Sequence, residues 1–344
     1  MKAAVFHGVG VIRLQDIPRP TPGAHEALLK IGSVGICGTD LRILAAGHHR
    51  IPAGTARVLG HEVAGEIVEI GQEVTGLFVG MRVSVAPNMG CGVCAQCVAG
   101  WTNLCPDYTA FGVSLDGGFA EYMLITEEAI RQGNVVEIPA GIPDHVAALA
   151  EPLSCCINGQ EALHIGLGDV VLVIGAGPIG LMHLQLAKIS GARQVMVSDT
   201  LDQRLEQAAA HGADILFNPQ KDDLAAAIHP GVDAIIIAAP APDAQELALE
   251  LAGPRGRINL FGGLPGDRPF IRFNSNLVHY KQLVVTGTTG SNMRHFRAAM
   301  ALIASGRVQL ESLSSVRLPL QQIREGIRLA QSRAVMRVHL KPSL

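Results

Sequence analysis

Cys91, Cys94, Cys97 and Cys105 crowd into one short stretch of this chain. Two C-x-x-C steps with a fourth thiol nearby suit a tetrahedral metal shell. Four thiolates close the coordination of zinc and leave no position open for chemistry. An iron–sulfur cluster or a set of reactive thiols would draw on the same residue type; zinc is the metal expected. Such a site organises a loop with little core of its own, so its work is structural. Three other segments carry softer and harder ligand types: Gly35-Ile36-Cys37-Gly38-Thr39-Asp40, Gly60-His61-Glu62 and Glu151-Pro152. Taken singly each is weak, because an isolated Cys or His is more often core or surface than ligand.

A further motif points to phosphate. Val170-Val171-Leu172-Val173-Ile174 runs straight into Gly175-Ala176-Gly177-Pro178-Ile179-Gly180 and then an apolar helix-like stretch. This is G-x-G-x-x-G between a strand and a helix. The first glycine permits the turn, the second lets a pyrophosphate approach the backbone, and the third lets helix and strand pack closely. The free N–H groups of the helix N-terminus then face the phosphates. Asp199 closes the next strand, roughly twenty residues on, where an acid binds both ribose hydroxyls. A carboxylate there repels a 2′-phosphate, so NAD is expected over NADP. Arg204 complicates that reading; it is either a solvated helix residue or a further cofactor contact.

The elements that must position these residues fall into two regimes. Up to about residue 150 the chain reads as short strands broken by glycine and proline, such as Ala27–Ile31, Glu62–Ile70 and Met81–Val85, with little helical periodicity. From Asp169, strands at Val170–Ile174, Gln194–Ser198, Ile215–Phe217, Asp233–Ala238, Arg257–Phe261 and Leu283–Thr286 alternate with helix-like segments. That alternation predicts an α/β doubly wound parallel sheet. The β-rich first part, 1–152, reads as a barrel-like domain, the parallel sheet takes 153–286, and the tail 287–344 is free to return to the first domain. The tail holds a helix at Met293–Ser305, another at Leu320–Gln331 and a strand at Ala334–Leu340.

Composition narrows the partners. With 344 residues, 48% hydrophobic and 17% charged, the chain is long enough for two well-filled cores and too apolar to be disordered. A net charge of −3 and the lack of any Lys/Arg run give no field for nucleic acid. No apolar run is long enough to span a bilayer and no signal peptide is visible, so a cytoplasmic protein is expected. Seven cysteines, clustered and odd in number, fit metal binding better than disulfides.

Taken together, the cysteine stretch, C-G-T-D, G-H-E, E-P-L-S and G-A-G-P-I-G occur in an order that resembles the zinc-containing medium-chain dehydrogenases. Across essentially the whole chain the resemblance is closest to the sorbitol (polyol) and L-threonine dehydrogenase branch. It implies a GroES-like catalytic domain built from both chain ends, with an inserted Rossmann domain and two zinc ions. Cys37, His61 and Glu62 would be catalytic zinc ligands. Glu151 stands where classical alcohol dehydrogenases have cysteine, and would bind the zinc or hold a water on it. Thr39 would meet the substrate oxygen, and Asp40 would orient a neighbour. Many relatives carry a histidine three residues after the threonine, at the end of a proton relay. Arg42 stands there in this chain and cannot act as a base, so the relay would end in water or at His48 or His49. Cys155 and Cys156 read as small buried residues.

The expected reaction is hydride transfer from a secondary alcohol, such as a polyol, sugar alcohol or its phosphate, to NAD, giving a ketone. The loop carrying His48, His49, Arg50 and Arg57 is a candidate contact for substrate hydroxyls or a phosphate. Amino-alcohol oxidation of the threonine type is the runner-up. A non-catalytic NAD-binding scaffold would leave the ligand residues without purpose. By family habit a homo-oligomer, dimer or tetramer, is implied.

Overall fold

The computed structural model describes residues 1–228 and 230–342. The chain divides into two compact units, Met1–Ser154 with Ser291–Leu344, and Cys155–Gly290.

The first unit is built on a seven-stranded sheet. In spatial order its strands are Val135–Glu137, Arg82–Val85, Glu62–Ile70, Ala27–Gly35, Val338–Lys341 and Val316–Pro319, with Tyr122–Ile125 also paired to Ala27–Gly35. The tail therefore returns to the N-terminal strands, as the resemblance implies. Alternate residues of these strands bury Leu29, Ile31, Val63, Ile67, Val83 and Met123 in one core. Such burial contributes roughly 25 cal/mol for each Å² of apolar surface removed from water.

One strand and one helix differ from the sequence reading. Ala27–Gly35 continues through Gly32 and Ser33, with a register irregularity between Ile31 and Ser33 opposite Glu62–Ile70. A glycine read as a terminator is here a bulge. The helix Gly38–Ala46 was hidden by weak periodicity and is set by its cap. Cys37 is the N-cap, and its backbone N–H donates to Asp40 Oδ2 at 2.8 Å. The C-G-T-D motif is thus a capping box as well as a ligand segment.

The second unit carries a six-stranded sheet, ordered Ile215–Phe217, Gln194–Ser198, Val170–Ile174, Val232–Ile237, Ala252–Asn259 and Val284–Thr286. All neighbours run parallel. Every residue of Val170–Ile174 is buried, as expected of a strand covered on both faces. The strand order reverses beside Val170–Ile174, and ligands of doubly wound sheets bind at the strand ends of such a reversal. Among the described residues no helix is long and apolar enough to cross a membrane.

Candidate active site and metal centres

The four cysteines converge. Their ligand atoms all lie within 4.8 Å of one another, and Cys94 Sγ is 3.8 Å from Cys105 Sγ. A tetrahedral zinc with bonds of about 2.3 Å sets its sulfurs about 3.8 Å apart, whereas a disulfide needs about 2.05 Å. Backbone amides are aimed at the sulfurs. The Cys91 N–H donates to Cys105 Sγ at 3.3 Å, Cys94 N–H to Cys91 Sγ at 3.4 Å, and Cys97 N–H to Cys94 Sγ at 3.5 Å. The N–H groups of Val93 and Cys94 lower the Cys91 thiol to about 7, while burial pushes Cys97 up to about 12. Donor type, spacing and amide support all fit a thiolate-bound zinc.

The second group joins residues from separate segments. Cys37, His61 and Glu62 present ligand atoms within 4.8 Å of one another. Cys37 caps the Gly38–Ala46 helix, and Glu62 opens the strand Glu62–Ile70. Asp40 holds both sides. Its Oδ2 accepts the Cys37 N–H, while its Oδ1 accepts the Gly60 N–H at 3.2 Å and lies 3.5 Å from His61 Nδ1. That last contact is an ion-pair distance, too long for a formed hydrogen bond. With Nδ1 turned to Asp40, the Nε2 edge remains for a metal, the usual arrangement of carboxylate and ligand histidine.

The protein charges prepare these donors. Burial alone would raise the Cys37 thiol, but His61 and then Arg337 outweigh it and hold it at about 6. His61 is raised well above its usual value against burial, by Asp40 and by Cys37. A thiolate beside an imidazolium is a site whose proton a cation can displace, so the chemistry of the set fits zinc.

One residue of this site escaped the sequence reading. Arg337, just before the strand Val338–Lys341, reaches Glu62: its Nε donates to Oε2 at 3.0 Å and its Nη2 pairs with Oε1. Glu62 is 0% exposed and Arg337 7%, so this pair lies outside the reach of solvent screening. The partners are 275 residues apart, and no local motif announces such a contact.

The other expected residues lie as follows. Thr39 Oγ1 accepts a hydrogen bond from Arg42 Nη2 at 2.9 Å. Neither His48 nor His49 is hydrogen-bonded to Thr39 among the described residues; their rings stack on each other at 4.4 Å. Glu151 is buried at the start of the helix Ala150–Glu161, and does not join the group formed by Cys37, His61 and Glu62. Cys156 is fully buried and Cys155 partly so. The expected substrate contacts of the basic loop are otherwise engaged. Arg50 Nη2 donates to Pro106 O at 2.8 Å, and Arg57 Nη1 donates to Asp116 Oδ1 at 2.9 Å. Each guanidinium thus already makes one contact within the protein.

In the second unit, Gly175 has φ +105, and a Cβ on Gly180 would lie 1.7 Å from Gly175 O. Both glycines are therefore required by the strand-to-helix turn. Gly177 is different: a Cβ there would meet only Arg204 Nη1, at 3.6 Å. Its bareness leaves room for a ligand against the backbone. Pro178 and Ile179 open the helix Pro178–Ile189, where Pro suits the first turn because its missing N–H would have no partner. Asp199 accepts the Ala176 N–H on Oδ2 at 2.7 Å and the Leu201 N–H on Oδ1 at 2.9 Å. Arg204 Nη1 stands 3.9 Å from Asp199 Oδ2. The acid is thus tied to the glycine turn, and Arg204 leans over both. A glycine-lined cradle beside a fixed carboxylate fits the adenosine side of a nicotinamide dinucleotide.

Known proteins share this architecture. Residues 23–140 match the alcohol dehydrogenase GroES-like domain, and residues 178–305 match the zinc-binding dehydrogenase domain. L-threonine 3-dehydrogenase of Pyrococcus abyssi is 37% identical over 324 residues, covering 91% of this chain and 89% of that protein. Sorbitol dehydrogenase of Halalkalibacterium halodurans is 31% identical over 354 residues, with 99% of each covered. A solved zinc-binding dehydrogenase from Sinorhizobium meliloti 1021, bound to NADP, superposes with a TM-score of 0.91 at 32% identity, covering 99% of each chain. By this likeness over nearly its whole length, the chain belongs to the zinc-dependent medium-chain alcohol dehydrogenases, nicotinamide-linked oxidoreductases, in the branch of the sorbitol and L-threonine dehydrogenases.

Proposed function

We propose that this chain oxidises a secondary alcohol of the polyol or sugar-alcohol type to a ketone with NAD, at a zinc held by Cys37, His61 and Glu62. The observation that carries the reading is the meeting of these three side chains within 4.8 Å. Zinc, when bound, supplies a Lewis acid that eases loss of the substrate hydroxyl proton. A nicotinamide cofactor held through the glycine turn and Asp199 would supply the hydride acceptor.

The chain's own residues do the rest. Asp40 orients His61 and fixes the Cys37 backbone, while Arg337 holds the Glu62 carboxylate. Thr39 binds the substrate oxygen. Arg42 donates to Thr39 Oγ1 and so occupies one of its lone pairs. Because guanidinium does not deprotonate, Arg42 takes no proton; it turns the Thr39 O–H outward as a donor, and the substrate proton leaves to water. Glu151 is assigned to holding a water at the metal. Cys91, Cys94, Cys97 and Cys105 hold a second, structural zinc. Gly175, Gly177, Pro178, Ile179, Gly180, Asp199 and Arg204 bind NAD. The catalytic domain is assigned to 1–152 with 287–344, and the NAD domain to 153–286. The protein acts as a homo-oligomer, dimer or tetramer, in the cytoplasm, where thiolate ligands stay reduced.

Asp199 gives a prediction on cofactor choice. Asp199→Asn keeps an acceptor for the Ala176 N–H but removes the charge that binds ribose hydroxyls and repels a 2′-phosphate. A hydrogen bond to a charged group is worth about 1.5–3 kcal/mol. The ratio of kcat/KM for NAD over NADP is therefore expected to fall by about 10- to 100-fold. An unchanged ratio would remove Asp199 from cofactor selection.

The substrate is tested by NAD reduction across sorbitol, xylitol, threitol, inositols, 2,3-butanediol and L-threonine. Turnover of a polyol is the expected result. The threonine relative has the higher identity of the two, which favours an amino alcohol as the second reading. Activity on L-threonine with none on polyols would select it.

A further inference from the structure

The loop between the helix Gly38–Ala46 and the strand Arg57–Val58 joins the Cys37 segment to the His61 segment. It has little secondary structure of its own. Its internal ties are few: Ile51 N–H donates to His48 O at 2.9 Å, Thr55 N–H to Pro52 O at 3.0 Å, and Arg50 N–H to His48 Nδ1 at 3.2 Å. Only Ile51 anchors it in the core. What holds it from outside is Arg50. Its Nη2 donates to Pro106 O at 2.8 Å, and its guanidinium lies 4.1 Å over the centre of the Tyr108 ring. Both contacts belong to one turn, closed by the Tyr108 N–H on Cys105 O at 3.3 Å. That turn begins at Cys105, the buried fourth thiol of the cysteine lobe, whose sulfur accepts the Cys91 N–H.

We propose that Arg50 is a positioning residue that couples the four-cysteine lobe to the loop between the Cys37 and His61 segments. Metal in the lobe fixes Cys105, Cys105 fixes the turn 105–108, and the turn holds the loop through Arg50. A hydrogen bond and a cation–π contact on one planar group set direction as well as distance. The closed thiolate shell, which offers no position for chemistry, thereby acts on the order of a segment whose two ends carry ligands of the other site. This rests on the lobe being a zinc site.

The test is hydrogen exchange on the full chain, read in peptides covering 47–56 and 91–105, with zinc counted per chain. Four proteins close a cycle: wild type, Arg50→Ala, Cys97→Ser and the double variant. Cys97 is chosen because it lies outside the turn that Arg50 touches. Arg50→Ala is expected to speed exchange in 47–56 at least ten-fold while 91–105 and the zinc count stay as in wild type. Cys97→Ser is expected to remove one zinc and speed both segments, and the double variant to exchange in 47–56 no faster than Arg50→Ala. Should Cys97→Ser fail to fold, Arg50→Lys and Tyr108→Leu replace it: lysine keeps the charge but not the fork or the stacking, and both are expected to fall between wild type and Arg50→Ala. Unchanged exchange in 47–56 for Arg50→Ala, or effects of Arg50→Ala and Cys97→Ser that simply multiply, would overturn the coupling. A zinc count unaffected by Cys97→Ser would instead overturn the lobe as a zinc site, independently of the loop result.

Discussion

Replacing His61 with alanine is expected to lower kcat/KM for alcohol oxidation by about a thousandfold, with zinc falling from two per chain to one. Cys37, His61 and Glu62 are the only group of this kind among the described residues besides the four cysteines. His61 is 7% exposed, so its imidazole is held within the site rather than in solvent. A Lewis acid contributes several kcal/mol of charge stabilisation in the transition state, and about 4 kcal/mol corresponds to a factor of about a thousand. The variant should keep its fold, because the contacts of Asp40 with the Cys37 and Gly60 amides do not involve the ring. Steady-state kinetics with metal analysis by mass spectrometry decide the matter. A variant that lost activity while retaining two zincs would place His61 elsewhere in the reaction.

The second large effect is on stability. In the zinc-free protein, Arg337→Met leaves the buried Glu62 carboxylate without its guanidinium partner. Removing one partner of a buried ion pair costs about 3–5 kcal/mol, a large share of the stability of a typical domain. Urea unfolding of the chelated, zinc-free protein should show that loss as a lower midpoint with an unchanged slope. The double variant Glu62→Gln with Arg337→Met should recover most of it, since neither charge is then stranded. If Arg337→Met alone were neutral, Glu62 would have to be neutralised by another group, and the paired geometry would not be what holds it.

The parts of this protein that were legible in the sequence are those written in local spacing. The cysteine stretch and the glycine turn are each built from neighbours in the chain, so their residue types and intervals carry the geometry directly. The strands Val170–Ile174, Gln194–Ser198 and Ile215–Phe217 were bounded correctly because apolar runs ended at glycine or at charged and polar residues. Ala252–Asn259 starts earlier than expected. Gly253, Pro254 and Gly256 read as a break, yet the strand passes through them with a register shift against Val232–Ile237. Pairing with a buried neighbour overrode the local turn preference.

Long-range charge pairing was not legible. Arg337 sits in an unremarkable final stretch, and only the return of that stretch beside Ala27–Gly35 brings it to Glu62. Arg50 and Arg57 show the same limit. A basic loop between two ligand segments looks like a substrate contact, but their partners, Pro106 and Asp116, come from a later part of the chain. Sequence shows that a charge is present; it does not show whether the fold has already matched it.

We propose that one zinc, held at Cys37, His61 and Glu62, is needed for hydride transfer, while the zinc of the four cysteines is not directly involved. Stepwise removal and return of zinc from the native chain, with metal counted and NAD reduction followed at each step, tests it most directly. Two zincs per chain are expected at full activity, with activity lost when zinc leaves the three-ligand site and recovered when one zinc is returned. Full activity in a protein whose Cys37, His61 and Glu62 site holds no metal would contradict it.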